Sequence, residues 1–349
     1  MKVGVFLPTY LLPGTEREHA DHLRRFAARA EELGFDSLFA TDHLLTATRF
    51  YRVSWLEPLT TLAHAAAVTE RVRLGTSILV LPTRQPVVLA KQIASLQHLT
   101  GGRFVLGVGV GWYEPEFEAV GATRRERGRR TDEVLDATIE LLSKPGASFD
   151  GRFYRFADAT IEPLTAVPPV WVAGGRQHVH ETSPERAVMA PTVLARICRR
   201  DGWIARPTAT PDQIALDLAE IDAALAATGT TRSARGFVVA HENFCWLSEH
   251  SERTAAVAEQ RDRMLRVVSA ERPWDYIESV YLTGTIDDVQ AQVQQRIDAG
   301  IDYLILHTMT ADLEQLELFA RHVLEPFGND VGAEADLEPT RRVKRERLQ

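Results

Sequence analysis

Cysteine is almost missing from this 349-residue chain: Cys198 and Cys245 lie far apart and form no C-x-x-C pair. A disulfide framework or a zinc ribbon is therefore not expected. Positive charge is also in deficit, with 40 Lys and Arg against 48 Asp and Glu and a formal net charge of −8. No basic stripe runs through the motifs described below, so nucleic acid is not expected as a partner. No apolar run reaches the roughly 18 residues that a membrane-spanning helix needs, so no membrane association is expected. The opening MKVGVFLPTY carries one positive charge and a short apolar stretch stopped by Pro8. That is too little for a signal peptide and reads as a first strand, so the chain is expected to be cytoplasmic. What remains is core-forming composition, 45% hydrophobic and 25% charged, in the range of soluble globular proteins.

Strand-like runs alternate with helical ones along most of the chain. VGVFLP (3–8) is followed by a helix whose apolar face includes Leu23, Phe26, Ala27 and Ala30, stopped by Gly34. SLFA (37–40), VRLGTSILVLP (72–82) and RFVLGVGV (103–110) read as strands two to four, with helices at 58–68 and 87–99 between them. A long helix over 124–142 leads to a hairpin-like SFDGRFYRF around Asp150-Gly151. PVWVAGG (169–175), DGWIA (201–205), GFVVAHENFCWL (236–247) and IDYLILH (301–307) supply strands five to eight. Helices at 211–227, 286–299 and 313–324 accompany them. Eight near-continuous apolar strands alternating with helices predict a parallel sheet buried on both faces. A (β/α)8 TIM barrel needs about 250 residues, leaving length for insertion segments. A doubly wound sheet is the rival, but it wants a domain boundary that the sequence does not mark. One barrel domain is expected over 1–328, and the charged residues 329–349 are expected to form a disordered tail.

Gly107, Gly109 and Gly111, in LGVGVGWYE, invite comparison with a dinucleotide-binding turn. That turn needs G-x-G-x-x-G at the first strand–helix junction, with an acidic residue about 20 positions on. Here the spacing is G-x-G-x-G, bulky Trp112 and Tyr113 follow, and three strands precede it. Barrel chemistry gathers at the C-terminal ends of the strands. Glycines there either let a flat ligand approach the backbone or relieve crowding inside the barrel. Asp42-His43, Thr76-Ser77 and Gly174-Gly175-Arg176 fall at the same rim and favour a ligand.

Taken in order and spacing, AEELGFDSLFATDHL (30–44), the run from Arg71 to Trp112, EFEAVG (116–121), PPVWVAGG (168–175), DGWI (201–204) and GTIDDVQAQVQQRIDAGIDYLILH (284–307) are specific. The chain resembles the luciferase-like monooxygenase superfamily, most closely an actinobacterial branch labelled deazaflavin-dependent. The resemblance implies a barrel enzyme that binds reduced FMN or the deazaflavin coenzyme F420. It would act on a small organic substrate by hydride transfer or, with reduced FMN and O2, by monooxygenation. It also implies that Thr76, Ser77 and Ile78 back the ring, with a cis peptide at Ser77-Ile78. Gly107 and Gly109 would line the pocket, and Gly174, Gly175 and Arg176 would hold a phosphate through backbone N–H groups and a guanidinium. Asp42 and His43 match a pair near the reactive face, where histidine can exchange a proton near neutral pH. A separate flavin or deazaflavin reductase is an implied partner.

Two features depart from the family pattern. Trp112 stands where the sugar-phosphate dehydrogenase branch has a proton-donating glutamate, so that reaction is not expected. The stretch between Gly175 and Asp201 is long, with Pro191 inside an apparently helical pattern. His178-Val179-His180-Glu181 lacks a third ligand placed by sequence, and no metal site is expected. The other reading is a non-catalytic flavin-binding barrel or regulatory subunit, which an intact Asp42-His43 disfavours. Small and apolar residues on the helices at 58–68 and 87–99 predict a homodimer through those two helices, unless inserted segments cover them.

Overall fold

Eight strands pair in parallel in chain order, and the ring then closes. They are β1 (Lys2–Phe6), β2 (Ser37–Ala40), β3 (Arg73–Thr76), β4 (Phe104–Gly109), β5 (Val170–Gly174), β6 (Gly202–Ala205), β7 (Val238–Phe244) and β8 (Tyr303–His307). Val3 of β1 sits opposite Leu304 of β8 and Leu106 of β4 opposite Val170 of β5, so the sheet has no free edge. The (β/α)8 barrel expected from the alternating pattern is the fold. This computed structural model describes residues 1–11, 16–47, 51–176, 188–268 and 273–328.

The side-chain period of two in a strand divides the apolar residues between two layers. Phe6, Phe39, Trp171, Ile204, Tyr303 and Ile305 fill the barrel interior. Their neighbours Val5, Leu38, Val172, Trp203, Leu304 and Leu306 face outward into the layer shared with the helices. Inside, the Tyr303 hydroxyl donates to Ser37 Oγ at 2.7 Å, which satisfies a buried polar pair.

The outer helices are α1 (Glu16–Glu32), α2 (Pro58–Ala66), α3 (Pro86–Leu99), α4 (Glu114–Ala119), α5 (Arg127–Ser143), α6 (Pro191–Cys198), α7 (Pro211–Ala227), α8 (Arg253–Val267), α9 (Trp274–Val280), α10 (Ile286–Asp298) and α11 (Leu313–Phe319). Proline occupies the first turn of α2, α3, α6 and α7, where its missing N–H costs no hydrogen bond. Thr210 and Thr285 start α7 and α10 with capping boxes. None of the helices among the described residues is long and apolar enough to cross a membrane.

Two sequence expectations change. The run 72–82 is not one strand: the ladder ends at Thr76, the Ser77-Ile78 peptide is cis, and Leu79–Val80 pairs again beside β4. An apolar run cannot show where tertiary partners take over. Here Thr76 Oγ1 donates to Gly107 O, and the Val80 N–H leaves the ladder for Asp42. Pro191 lies at the start of α6, not inside a helix. Helices α8 and α9 lie between the runs 236–247 and 286–299, where the sequence reading assigned no element. They form, with Tyr10, Val53, Trp55 and Phe244, a separate apolar cluster. The hairpin is present as Ala147–Asp150 paired with Arg155–Ala159. The expected tail at 329–349 and the His178–His180 pair lie outside the described residues.

Gly107 is a packing position. A Cβ there would collide with the carbonyl oxygen of Thr76 and come within 3.1 Å of Ile204 Cδ1. A backbone oxygen cannot rotate away, so Gly107→Ala overpacks the barrel and costs on the order of 1–3 kcal/mol. Gly128→Ala, inside α5, meets nothing nearer than 3.8 Å and gains helix propensity. Scanning calorimetry should show a lowered Tm for the first variant and an unchanged or raised Tm for the second. An unchanged Tm for Gly107→Ala contradicts this packing.

Candidate active site

A cavity of about 280 Å³ opens at the C-terminal ends of the strands. Of the residues expected at the site, Asp42, His43, Ser77, Ile78, Gly109 and Gly174 line it. Thr76, Gly107, Gly175 and Arg176 do not; they sit behind or beside its wall. Gly109 and Gly111 are brought against the segment after β3. A Cβ on Gly109 would lie 2.6 Å from Ile78 Cδ1, and one on Gly111 would lie 2.5 Å from Val80 Cγ1. Gly111 also has φ +67°, a conformation that favours glycine. The glycines let Ile78 and Val80 seat closely against β4, and the cavity beside them is walled in part by Ile78, Val110, Ala173, Ile204 and Ala205.

His43 follows β2 directly, and its side chain is 7% exposed. Its Nδ1 lies 3.1 Å from Glu116 Oε1, the same oxygen that accepts the N–H groups of Leu44 and Leu45 at 2.8 and 3.1 Å. One carboxylate thus fixes both the imidazole and the loop that carries it. Trp55, Tyr51 and Trp112 surround the ring at 5.1, 5.5 and 5.5 Å between centroids. Neighbouring Asp42 does not pair with His43. Its carboxylate accepts the Val80 N–H at 2.8 Å and Arg84 Nη2 at 2.6 Å. Burial pushes this carboxyl above its ordinary range, while the charge of Arg84 and the Val80 N–H pull it back.

Gly174 ends β5, and a Cβ on it would meet Val193 of α6 at 2.7 Å. The turn then passes through Gly175 at φ +146° to Arg176. The Arg176 N–H and Nε both donate to Asp217 of α7, and Nη2 donates to Glu220 at 2.8 Å. Its guanidinium is therefore engaged by two carboxylates. Arg206, at the end of β6, is in the opposite situation. It lines the cavity, and its Nε and Nη2 are buried with no hydrogen-bond partner among the described residues. Burial lowers the affinity of this guanidinium for its proton. Unsatisfied buried donors are costly, and these point to an anionic ligand group.

Glu242 is the residue that sequence reading missed. It lies on β7 facing the cavity, and Ser77 Oγ donates to its Oε2 at 2.5 Å. Burial pushes its carboxyl up to about 7, with the Ser77 hydroxyl opposing. The signal was present as HEN inside the apolar run GFVVAHENFCWL, since a charged residue in a barrel strand is rarely there for packing. Glu116 and Arg206 were likewise legible only as members of a motif or strand end.

These observations fit a flat ring with a phosphorylated side chain. The cavity beside Gly109 has room for a planar group, several of its walls there are apolar, and Arg206 Nε and Nη2 lack a partner among the described residues. Among the described residues no cluster of three His, Cys, Asp or Glu could hold a metal ion.

The family model for luciferase-like monooxygenases matches residues 1–303. The chain is 38% identical over 172 residues to an F420-dependent glucose-6-phosphate dehydrogenase of Intrasporangium calvum, covering 46% of this chain and 48% of that protein. It is 35% identical over 150 residues to an FMNH2-dependent dimethylsulfone monooxygenase of Pseudomonas putida, covering 41% of this chain and 39% of that one. The chain thus spans about half the length, or less, of these curated relatives. The crystal structure of the monooxygenase RslO1 from Streptomyces bottropensis superposes with a TM-score of 0.75 at 25% identity, covering 94% of this chain and all of that one. With a match over so much of its length and this barrel, the chain belongs to the luciferase-like monooxygenase family.

Proposed function

We propose that the chain is an oxidoreductase that holds coenzyme F420 or reduced FMN in the rim cavity and acts on a small organic substrate. The observation that carries this reading is one cavity lined by both Gly109 and Arg206, whose Nε and Nη2 are buried without a partner among the described residues. The relatives that use F420 or FMNH2 support it. When bound, the cofactor supplies hydride transfer or, as reduced FMN with O2, oxygenation.

The chain's own residues divide the remaining work. Ser77, Ile78 and Gly109 form the bed for the ring. Arg206 holds the phosphate, while Gly174 and Gly175 shape the turn beside it. Arg176 acts through Asp217 and Glu220 as a brace for that turn, not as an anion ligand. His43 is the acid–base residue: with Nδ1 on Glu116, Nε2 is left to exchange a proton with the substrate. Asp42 positions His43 by fixing the end of β2. Trp55, Tyr51 and Trp112 exclude water around the imidazole.

We further propose that the protein works in the cytoplasm, served by a separate flavin or deazaflavin reductase that supplies the reduced cofactor. It is also read as a homodimer. Ala63, Ala67 and Val68 at the end of α2 and Val88 and Leu99 on α3 remain exposed, Val88 and Leu99 at 56% and 68%. The segment after the hairpin touches α3 through Lys91 and Gln97 without covering those residues.

Replacement of Arg206 tests the cofactor reading. Arg206→Gln should weaken FMN binding by about 10–100-fold, the value of a charge-assisted hydrogen bond, and leave riboflavin, which lacks the phosphate, within a few-fold. Equal losses for both ligands, or none, contradict the assignment. His43→Ala should lower turnover about 10²–10⁴-fold with cofactor affinity nearly unchanged, and wild-type turnover on a substrate of the parent enzyme excludes the role given to His43. Light scattering should report twice the chain mass at micromolar concentration; a monomer there rules out the dimer through α2 and α3.

A further inference from the structure

Strand β7 carries three consecutive polar residues, His241, Glu242 and Asn243, between apolar ones. Glu242 lines the rim cavity and its two neighbours do not, as the alternation of side chains along a strand requires. His241 and Asn243 are 0% and 1% exposed. Polar side chains so deeply buried are kept by the groups they match, and these two match the exit of β6.

His241 lies opposite Ala205 in the parallel ladder between β6 and β7. Its Nε2 is 3.1 Å from the carbonyl oxygen of the next residue, Arg206. Burial and the charge of Arg296 keep the ring neutral, its pKa lowered to about 3, so it has one N–H to give. A carbonyl only accepts, which puts that proton on Nε2 and leaves Nδ1 bare. Nδ1 indeed has no partner among the described residues. The Arg206 oxygen also accepts the Ala209 N–H at 2.9 Å, so both of its lone pairs are used. Asn243 Nδ2 donates to the following carbonyl, Pro207 O, at 3.0 Å and to Val280 O at 3.1 Å. Asn243 Oδ1 accepts the Leu282 N–H at 2.9 Å. One amide thus ties the β6 exit to the end of α9.

These bonds bear on Arg206 because little else aims it. As the residue before a proline, its backbone is confined to extended conformations, and its carbonyl is pinned by two donors. The side chain has no such anchor at Nε or Nη2 among the described residues. Its Nε passes close to the turn after β5, 3.6 Å from where a Cβ on Gly175 would stand. The guanidinium therefore takes its place in the cavity from its backbone and from that turn.

We propose that His241 and Asn243 are positioning residues for Arg206: by holding the Arg206 and Pro207 carbonyls they set where the guanidinium meets the cofactor phosphate. The proposal rests on the cofactor reading for the identity of the ligand, though not for the network.

Two ligand pairs that differ by the phosphate-bearing arm, FMN with riboflavin and F420 with its phosphate-free deazaflavin core, are titrated by fluorescence into the full chain. An asparagine amide at 241 ends near the place of Nδ1 and falls short of the Arg206 carbonyl, whereas a glutamine amide extends to the place of Nε2. His241→Asn and Asn243→Ser should each lower the preference for the phosphorylated member by about 3–10-fold, part of the value of a charge-assisted hydrogen bond. Affinity for the phosphate-free member should stay within about twofold, and His241→Gln should restore the preference. Added to Arg206→Gln, neither substitution should change the preference by more than about twofold, because groups that act through one residue do not add. Equal losses for both members of a pair, no rescue by His241→Gln, or a full further loss beside Arg206→Gln overturns the proposal. Binding of the phosphate-free member reports folding, and either site carries the test where the other site's variant does not fold. Nitrogen-15 NMR of the wild-type histidine rings needs no variant to be stable: protonation of His241 on Nε2 upholds the network, and protonation on Nδ1 overturns it. A lost preference in Arg206→Gln with none lost in the other variants overturns the positioning role and upholds the cofactor reading. No uptake of FMN or F420 by the wild type, or no loss in Arg206→Gln, contradicts the cofactor reading and overturns the proposal with it.

Discussion

At the end of β2 the Asp42 carboxylate, 1% exposed, accepts the N–H of Val80 and pairs with Arg84, whose other Nη reaches Glu57 at 3.0 Å. Two charges taken out of water cost several kcal/mol each, and only close geometry with further hydrogen bonds offsets that cost. Here the geometry spans three separate pieces of chain: the rim of β2, the segment after β3 and the residue before α2. This clamp holds the Ser77–Val80 segment in its place after the ladder of β3 has ended. With that segment fixed, Ile78 faces Gly109, Ser77 reaches Glu242, and His43 emerges from β2 toward Glu116. The cavity exists because those contacts are held together.

A second carboxylate repeats the device one residue along. Glu116 binds two loop N–H groups and the His43 ring through one oxygen, which ties the β2 loop to α4. The two neighbours Asp42 and His43 are therefore oriented by different elements. Their adjacency in sequence does not make them a hydrogen-bonded pair. Arg176 and Arg206 show the same separation between residue type and task. Both are arginines at strand ends near the rim, yet Asp217 and Glu220 occupy one while the other's Nε and Nη2 are buried without a partner among the described residues.

Much of the fold was legible because it depends on local pattern. Eight apolar runs, the Gly34 stop and prolines at helix starts follow rules that act within a few residues, and the barrel follows from their alternation. The candidate site was legible where a residue type has few other uses at a strand end, as with His43, and through the family resemblance, as with Ser77-Ile78 and Gly109. It was not legible where the partner lies far along the chain. The break in the run 72–82 depends on Asp42, the position of His43 on Glu116, and the raised carboxyl of Glu242 on burial among strands that only the closed barrel brings together. Gly107 and Gly109 share one motif and one strand, but a Thr76 carbonyl backs the first and the Ile78 side chain, at the cavity wall, backs the second. No spacing rule distinguishes them.

A crystal structure of the chain with FMN or F420 bound tests the central claim most directly. The ring should lie in the rim cavity against the Ser77-Ile78 peptide and the Gly109 end of β4, with a phosphate oxygen within hydrogen-bond distance of Arg206 and Arg176 still paired with Asp217. A ring seated away from Gly109, or a phosphate held by Arg176 with Arg206 uninvolved, would contradict it.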